Sequence, residues 1–163
     1  MPTISDIDKL AKQINWKKEW KENKKFMGNI FIDFRKKIVI ENLPTENGQC
    51  KGVYTLSDGE VNKTFDLYCG VSEKGKSTCR KRAMSHKGSV EKFMTGSNVK
   101  NSESSGKKIV EYYKDKDYAI LNVHYMDLDK YETLGLKLLA EANMIPALKG
   151  PLNDENRKKR KVA

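Results

Sequence analysis

The sequence predicts an α/β domain of the α+β kind. A small central three-stranded, mostly antiparallel sheet is flanked by helices and preceded by a helical extension. Three observations lead there. Two short runs, Gly52–Leu56 and Phe65–Val71, are rich in aliphatic and aromatic residues and are split by the turn signal Ser57-Asp58-Gly59-Glu60, so they should pair as a hairpin. A helical stripe follows, with Cys79, Arg82, Ala83, His86 and Val90 at helical spacing. Tyr118–Met126 then alternates and is β-rich, which supplies the third strand.

Taken in order, residues 5–25 read as helix. Ser5 or Asp6 caps it, Ile7, Leu10 and Ile14 recur at helical spacing, and Trp16 and Trp20 stand four apart among lysines. The stretch 29–40 fits strand or helix. Residues 41–50, with Pro44, Asn47 and Gly48, read as a linker. The main domain is therefore expected to start near residue 50 and run over 51–154, with 1–50 as a mainly helical extension and 155–163 as a basic, disordered tail.

Within the hairpin, Tyr54 shares a face with Leu56, and Tyr68 shares one with Asp66 and Gly70. Gly70 leaves room for something to approach the backbone closely. After the polar loop 72–76, Ser77 or Thr78 caps a helix running to about Lys87. The polar segment 96–106 reads as a loop, and 107–113 as helix. Asp127 or Asp129 caps a last long helix to about Asn143, with Glu141 on the stripe of Leu134, Leu138 and Ile145. Asn153 lies in the loop beyond it.

The 163 residues suit one domain. Apolar residues make up 37% and charged residues 33%, which is hydrophilic without implying disorder throughout. The excess of 32 Lys and Arg over 22 Asp and Glu, a net charge of +10, attracts a polyanion: nucleic acid or an anionic membrane surface. No stretch approaches the roughly 20 apolar residues of a membrane span, and the N-terminus lacks a signal-peptide pattern. Three cysteines without C-x-x-C spacing argue against a disulfide framework or zinc site, and point to a reduced, cytoplasmic compartment.

Six side chains carry candidate chemistry, each with a plainer alternative. A carboxylate on an inward helix face costs several kcal/mol unless a partner or metal compensates it. That makes Glu141 a metal-ligand candidate, a salt bridge to lysine being the alternative. Arg82 is suited to gripping a phosphate through two parallel hydrogen bonds, or is a solvated helix cation. His86, one turn on, accepts or relays a proton near neutral pH, or is structural. Tyr54 and Tyr68 are phenols at the site or ordinary strand aromatics. Asn153 positions a ligand or caps a loop.

Their order and spacing resemble the GIY-YIG nuclease superfamily over about residues 51–154. Gly52-Val53-Tyr54 corresponds to the first motif and Leu67-Tyr68-Cys69-Gly70 to the second. Arg82 and His86 match the arginine and the histidine or tyrosine of the first helix. Glu141 matches the glutamate that ligates a single divalent metal, and Asn153, in Gly150-Pro151-Leu152-Asn153, the late asparagine. Cys69 departs from the usual aliphatic. Val71 stands where many members have lysine or serine, which shifts a phosphate contact to Lys74 or Lys76. The stretch from Gly70 to Arg82 is longer than in the repair nucleases and argues against excision repair. Together with the loop over 88–106, it is similar to what compact type II restriction endonucleases use to surround DNA.

The resemblance implies a fold, a reaction and partners. One Mg²⁺ or Mn²⁺ per active site would be held by Glu141 and waters. Arg82 would neutralise charge on the phosphoryl oxygens. Tyr54, as phenolate or through His86, would take the proton of the attacking water, either residue serving as the base, with Tyr68 and Asn153 positioning water and phosphate. A phenol of pKa about 10 needs a downward shift for that task, and Arg82 and the metal are placed to give one. Arg80, Lys81 and Lys87 would join Lys74 and Lys76 on the backbone of double-stranded DNA. The implied enzyme is a sequence-specific type II restriction endonuclease that dimerises to cut both strands. A homing or phage-type nuclease is the runner-up, and a catalytically silent DNA-binding module the alternative of another class. The tail Arg157-Lys158-Lys159-Arg160-Lys161 resembles a nuclear-import signal, and equally a nucleic-acid-gripping arm or an unstructured end.

Overall fold

The computed structural model describes residues 6, 9, 12–59, 66–72, 77–96, 105–128, 148 and 150–153. The expected final helix with Glu141, the loop lysines Lys74 and Lys76, and the basic tail lie outside the described residues.

Five strands, not three, form one sheet. They are β1 (Lys25–Asp33), β2 (Ile38–Asn42), β3 (Gly52–Asp58), β4 (Asp66–Ser72) and β5 (Tyr118–Asp127). Their order is β2-β1-β5-β3-β4, and every neighbouring pair is antiparallel. The expected hairpin is β3–β4, and the expected third strand is β5, which pairs with both β1 and β3. The two additional strands come from the stretch that fitted strand or helix. Ile30 and Ile32 alternate inward there, and the β1–β2 turn is closed by Lys37 in the left-handed region, φ 56. Gly28, φ 150, sits at the bulge where the β1–β5 register shifts.

This sheet corrects the expected boundary at residue 50. The segment before it is not mainly helical, since β1 and β2 are built into the same sheet as β3–β5. A shorter helix precedes them. Asn15 caps α1 (Trp16–Asn23) by accepting from the Lys18 N–H at 3.2 Å. The turn-to-turn pair Trp16 and Trp20 is buried against Val53, Cys69, Met126 and Leu128 on one sheet face.

Two helices cover the other face. Thr78 caps α2 (Cys79–Met94), accepting from the Lys81 N–H. The helix runs past the expected stop near Lys87. Gly88 costs about 1 kcal/mol in a helix interior, but Val90 continues the buried stripe of Cys79, Ala83 and His86. The start of α2 is tied to the preceding loop, where the N–H groups of Cys79 and Arg80 reach the carbonyls of Cys50 and Gly48. Helix α3 (Ser105–Tyr112) packs on α2, and its Ile109 joins Ile30, Ile32, Leu56, Leu121 and Val123 in the main core. Strand β3 is buried along its whole length. Among the described residues no helix is long and apolar enough to cross a membrane.

If α1 belongs to the same cooperative unit as the sheet, Trp20→Ala should lower the global unfolding free energy by about 3–5 kcal/mol. Urea denaturation followed by circular dichroism measures this. An unchanged midpoint would make α1 a separate appendage.

Candidate active site between the central hairpin and the basic helix

Tyr54 lies mid-way along β3 and points toward α2. Its register partner on β4 is Gly70. A Cβ on Gly70 would come within 2.5 Å of the Tyr54 hydroxyl and 2.6 Å of the ring carbon that bears it. The close approach that glycine permits here is therefore the Tyr54 ring itself. From that position the hydroxyl lies 2.7 Å from His86 Nε2. Tyr68 meets the edge of the His86 ring at a centroid distance of 5.0 Å and lies 6.2 Å from Tyr54. The backbone thus brings the two phenols, the imidazole and, one helical turn earlier, Arg82 to one place.

Exposure divides these four groups into two layers. Tyr54 is fully buried and His86 is 7% exposed. Tyr68 is half-buried and Arg82 is exposed, and both act on the Tyr54 hydroxyl electrostatically. His86 is neutral, and with the tautomer whose Nε2 is unprotonated assigned to it the Tyr54 hydroxyl is the donor. The imidazole proton then sits on Nδ1, a buried atom with no hydrogen-bond partner among the described residues.

The electrostatics correct one expectation. Burial, and then Tyr68, push the Tyr54 hydroxyl well above the ordinary tyrosine range, and Arg82 offsets them only in part. Tyr54 is thus a phenol at neutral pH and not a phenolate. Burial, reinforced by the Arg82 charge, lowers His86 to about 4. The pair rests neutral on both sides: a phenol facing an unprotonated imidazole.

Asn153 sits apart from this chemistry in a definite way. Its Oδ1 accepts from the Cys69 N–H at 2.6 Å and the Gly150 N–H at 3.2 Å, and its Nδ2 donates to the Cys69 carbonyl at 2.9 Å. Strand β4 is a sheet edge, and the amide stands in for a neighbouring strand at one residue. Its polar atoms are committed to backbone, so it acts on the site by fixing Cys69, the residue between Tyr68 and Gly70.

The expected phosphate contacts separate. Arg80 turns inward, and its guanidinium donates to the Leu43 carbonyl at 3.1 Å. Lys81 is exposed. Lys87 pairs with Glu91 one turn on, at 2.6 Å. No carboxylate is among the groups that shift Tyr54 or His86, and no cluster of three potential metal ligands occurs among the described residues. A hard cation takes oxygen donors, and Glu141, the expected ligand, lies outside the described residues. A third phenol, Tyr125, is the register partner of Tyr54 on β5 and was not singled out from the sequence. Its inward place in the alternation of β5 was the available signal.

Removing the β4 clamp should be costly. Asn153→Ala strands the buried N–H and C=O of Cys69 and is expected to destabilise the fold by about 2–4 kcal/mol, read by urea unfolding. The buried imidazole gives a pH signature. Because the folded pKa is depressed from 6.5 to about 4, the unfolded chain binds more protons between those values. Stability is complete above about pH 6.5 and falls as pH drops through the window. Wild type should therefore lose on the order of 2–3 kcal/mol more than His86→Gln between pH about 7 and about 4.5. His124, also lowered by burial and by Lys24, is present in both proteins and cancels.

No family model and no curated protein matches this chain. Among solved structures, the chain is similar to the restriction endonuclease HPY188I in complex with product DNA, at 18% identity and a TM-score of 0.42. The match covers 74% of this chain and 65% of that one. At such distance the likeness carries no weight for fold or activity, and the functional reading rests on this chain's own residues.

Proposed function

We propose that this chain is a Mg²⁺-dependent DNA endonuclease of the GIY-YIG type, and within that type a sequence-specific restriction enzyme acting on double-stranded DNA. The observation that carries the reading is the 2.7 Å contact between the Tyr54 hydroxyl and His86 Nε2, with the Arg82 charge acting on the same hydroxyl. A phenol whose proton already points at a neutral imidazole can pass that proton on as it receives one from water. The net basic charge and the motif order support DNA as the substrate. A second copy of the chain would be needed to cut the second strand.

The steps follow from the resting geometry. An arriving phosphate draws the exposed Arg82 guanidinium into a bidentate pair beside the Tyr54 oxygen. Water gives its proton to that oxygen while the phenol proton moves to His86 Nε2. Such general-base help is worth about 10²–10⁴-fold. Arg82 meanwhile stabilises charge on the non-bridging oxygens. Tyr68, on the solvent side of His86, orients the water. Mg²⁺ held by Glu141 would polarise the phosphate and stabilise the leaving oxygen.

The full burial of Tyr54 and its raised proton affinity favour a second reading, a DNA-binding module that keeps the fold without the chemistry. Plasmid incubation with Mg²⁺ separates the two. Under the nuclease reading wild type gives discrete fragments, and Glu141→Gln binds DNA without cutting it. Arg82→Ala loses about 10²–10³-fold in rate with an unchanged melting temperature, since the residue is exposed. Intact plasmid with wild type would leave the binding module.

A further inference from the structure

The sheet face turned away from Tyr54 and His86 has a character of its own. Helix α1 covers its β3–β4 side through Trp16 and Trp20. Over β2, β1 and β5 the side chains are open. Of the six exposed large hydrophobic residues among those described, five lie here: Phe26 at 54%, Ile40 at 50%, Ile38 at 46%, Tyr118 at 44% and Ile120 at 37%. The register explains their grouping. Phe31 faces Ile40 on one side and Ile120 on the other, and its ring stacks on Tyr118 at 5.6 Å and 25°. Phe26 packs beside His124 at the far end of β1, five residues or roughly 17 Å along the strand from Phe31.

Charge frames this face. The β1–β2 turn is Arg35-Lys36-Lys37, and Lys24-Lys25 begins β1 at the opposite end. Arg35 lies over the Tyr118 ring at 5.8 Å and donates to its hydroxyl. Acids lie at both ends, with Asp66 near enough to Lys24 to feel its charge. Asp33 is buried and accepts from the Arg35 and Lys36 backbone, and Asp117 sits 3.9 Å from Arg35. Between the basic ends the strands present a row of amides, Asn29, Asn42 and Asn122, with Asn42 donating to Asn29 at 3.2 Å.

We infer that this open face binds single-stranded DNA, with unpaired bases stacked on Phe26 and on the Phe31–Tyr118 pair and the backbone held by the cations at either end of β1. Exposed rings on an open sheet face meet base faces, which a duplex hides and a single strand offers. A chain of net charge +10 repels its own copy and attracts a polyanion, so charge favours the nucleic acid over a second protomer. The isoleucines between the rings suit the C5-methyl of thymine, which RNA lacks. The inference stands apart from the nuclease reading, because it concerns the opposite face and needs no cleavage.

Fluorescence anisotropy of a labelled oligothymidylate, with the full chain in EDTA, tests it. Phe26→Ala/Tyr118→Ala should weaken binding at least tenfold with an unchanged melting temperature. Oligouridylate of the same length should bind more weakly than oligothymidylate. Arg35→Gln/Lys37→Gln, which leaves the rings in place, should reduce the slope of log affinity against log salt by about 1.4. Unchanged affinity in the aromatic variant, or an unchanged salt slope in the charge variant, would overturn the proposal. Equal binding of oligouridylate would remove the assignment to DNA. A wild-type dimer that Ile40→Glu splits, with oligothymidylate affinity unaltered, would assign the face to a second copy instead.

Discussion

The hydrogen bond between Tyr54 and His86 is the constraint around which the described structure is arranged. A tyrosine in the middle of a strand buried along its length must satisfy its hydroxyl without water. The partner comes from the second turn of α2, so the helix must lie at one height and one rotation over β3. Cys79 and Ala83 set that rotation by filling the buried stripe beneath it. The ring in turn needs the space over Gly70, where any side chain would collide with it. Three elements are therefore fixed relative to one another by one polar contact and one missing Cβ. Both partners are neutral because both are dry. Ionising either one there would need a compensating charge, and the nearest, Arg82, is positive and lies at the solvent side.

Edge strand β4 would be the loosest part of this arrangement without the Asn153 amide. Cys69 is locked in both directions by Asn153, while Tyr68 and Gly70 flank it in the chain. The residues that define the second half of the site thus inherit their position from a side chain 84 positions away. Cys69 also faces Trp16, Trp20 and Met126 on the opposite side of the sheet. The packing of α1 and the placement of Tyr68 are in this sense parts of one edge.

The central hairpin was legible because two runs rich in aliphatic and aromatic residues flank a turn signal, although Ser57 and Asp58 of that signal belong to β3 itself, and Gly70 announced a close approach without saying what approaches. The Thr78 cap was legible too. The other two strands were not, because their turn, Arg35-Lys36-Lys37, carries no glycine or asparagine and relies on Lys37 in the left-handed region. Spacing placed Arg82 and His86 on one helical face, yet only the packed structure separates an exposed cation from a buried imidazole. Charge alone suggests that Arg82 lowers the Tyr54 pKa. Burial, which a sequence does not display, reverses the net direction. The same blindness applies to Arg80 and Lys81. They are neighbours of one charge, but helix phase turns the first to the Leu43 carbonyl and the second to solvent.

The layering of the site separates two tasks that a fully exposed cluster would merge. Arg82 is the group that an incoming anion meets, and a flexible exposed side chain can follow that anion at little cost to the fold. Tyr54 and His86 cannot move without disturbing β3, β4 and α2 together, so their proton path has one geometry. In a dry pocket a single cation also exerts a larger effect than it would in water. On the proposed nuclease reading, the exposed arginine sets when charge arrives and the buried pair sets where a proton goes. On that reading a change confined to Arg82 alters reactivity without altering stability, whereas any change to the pair alters both.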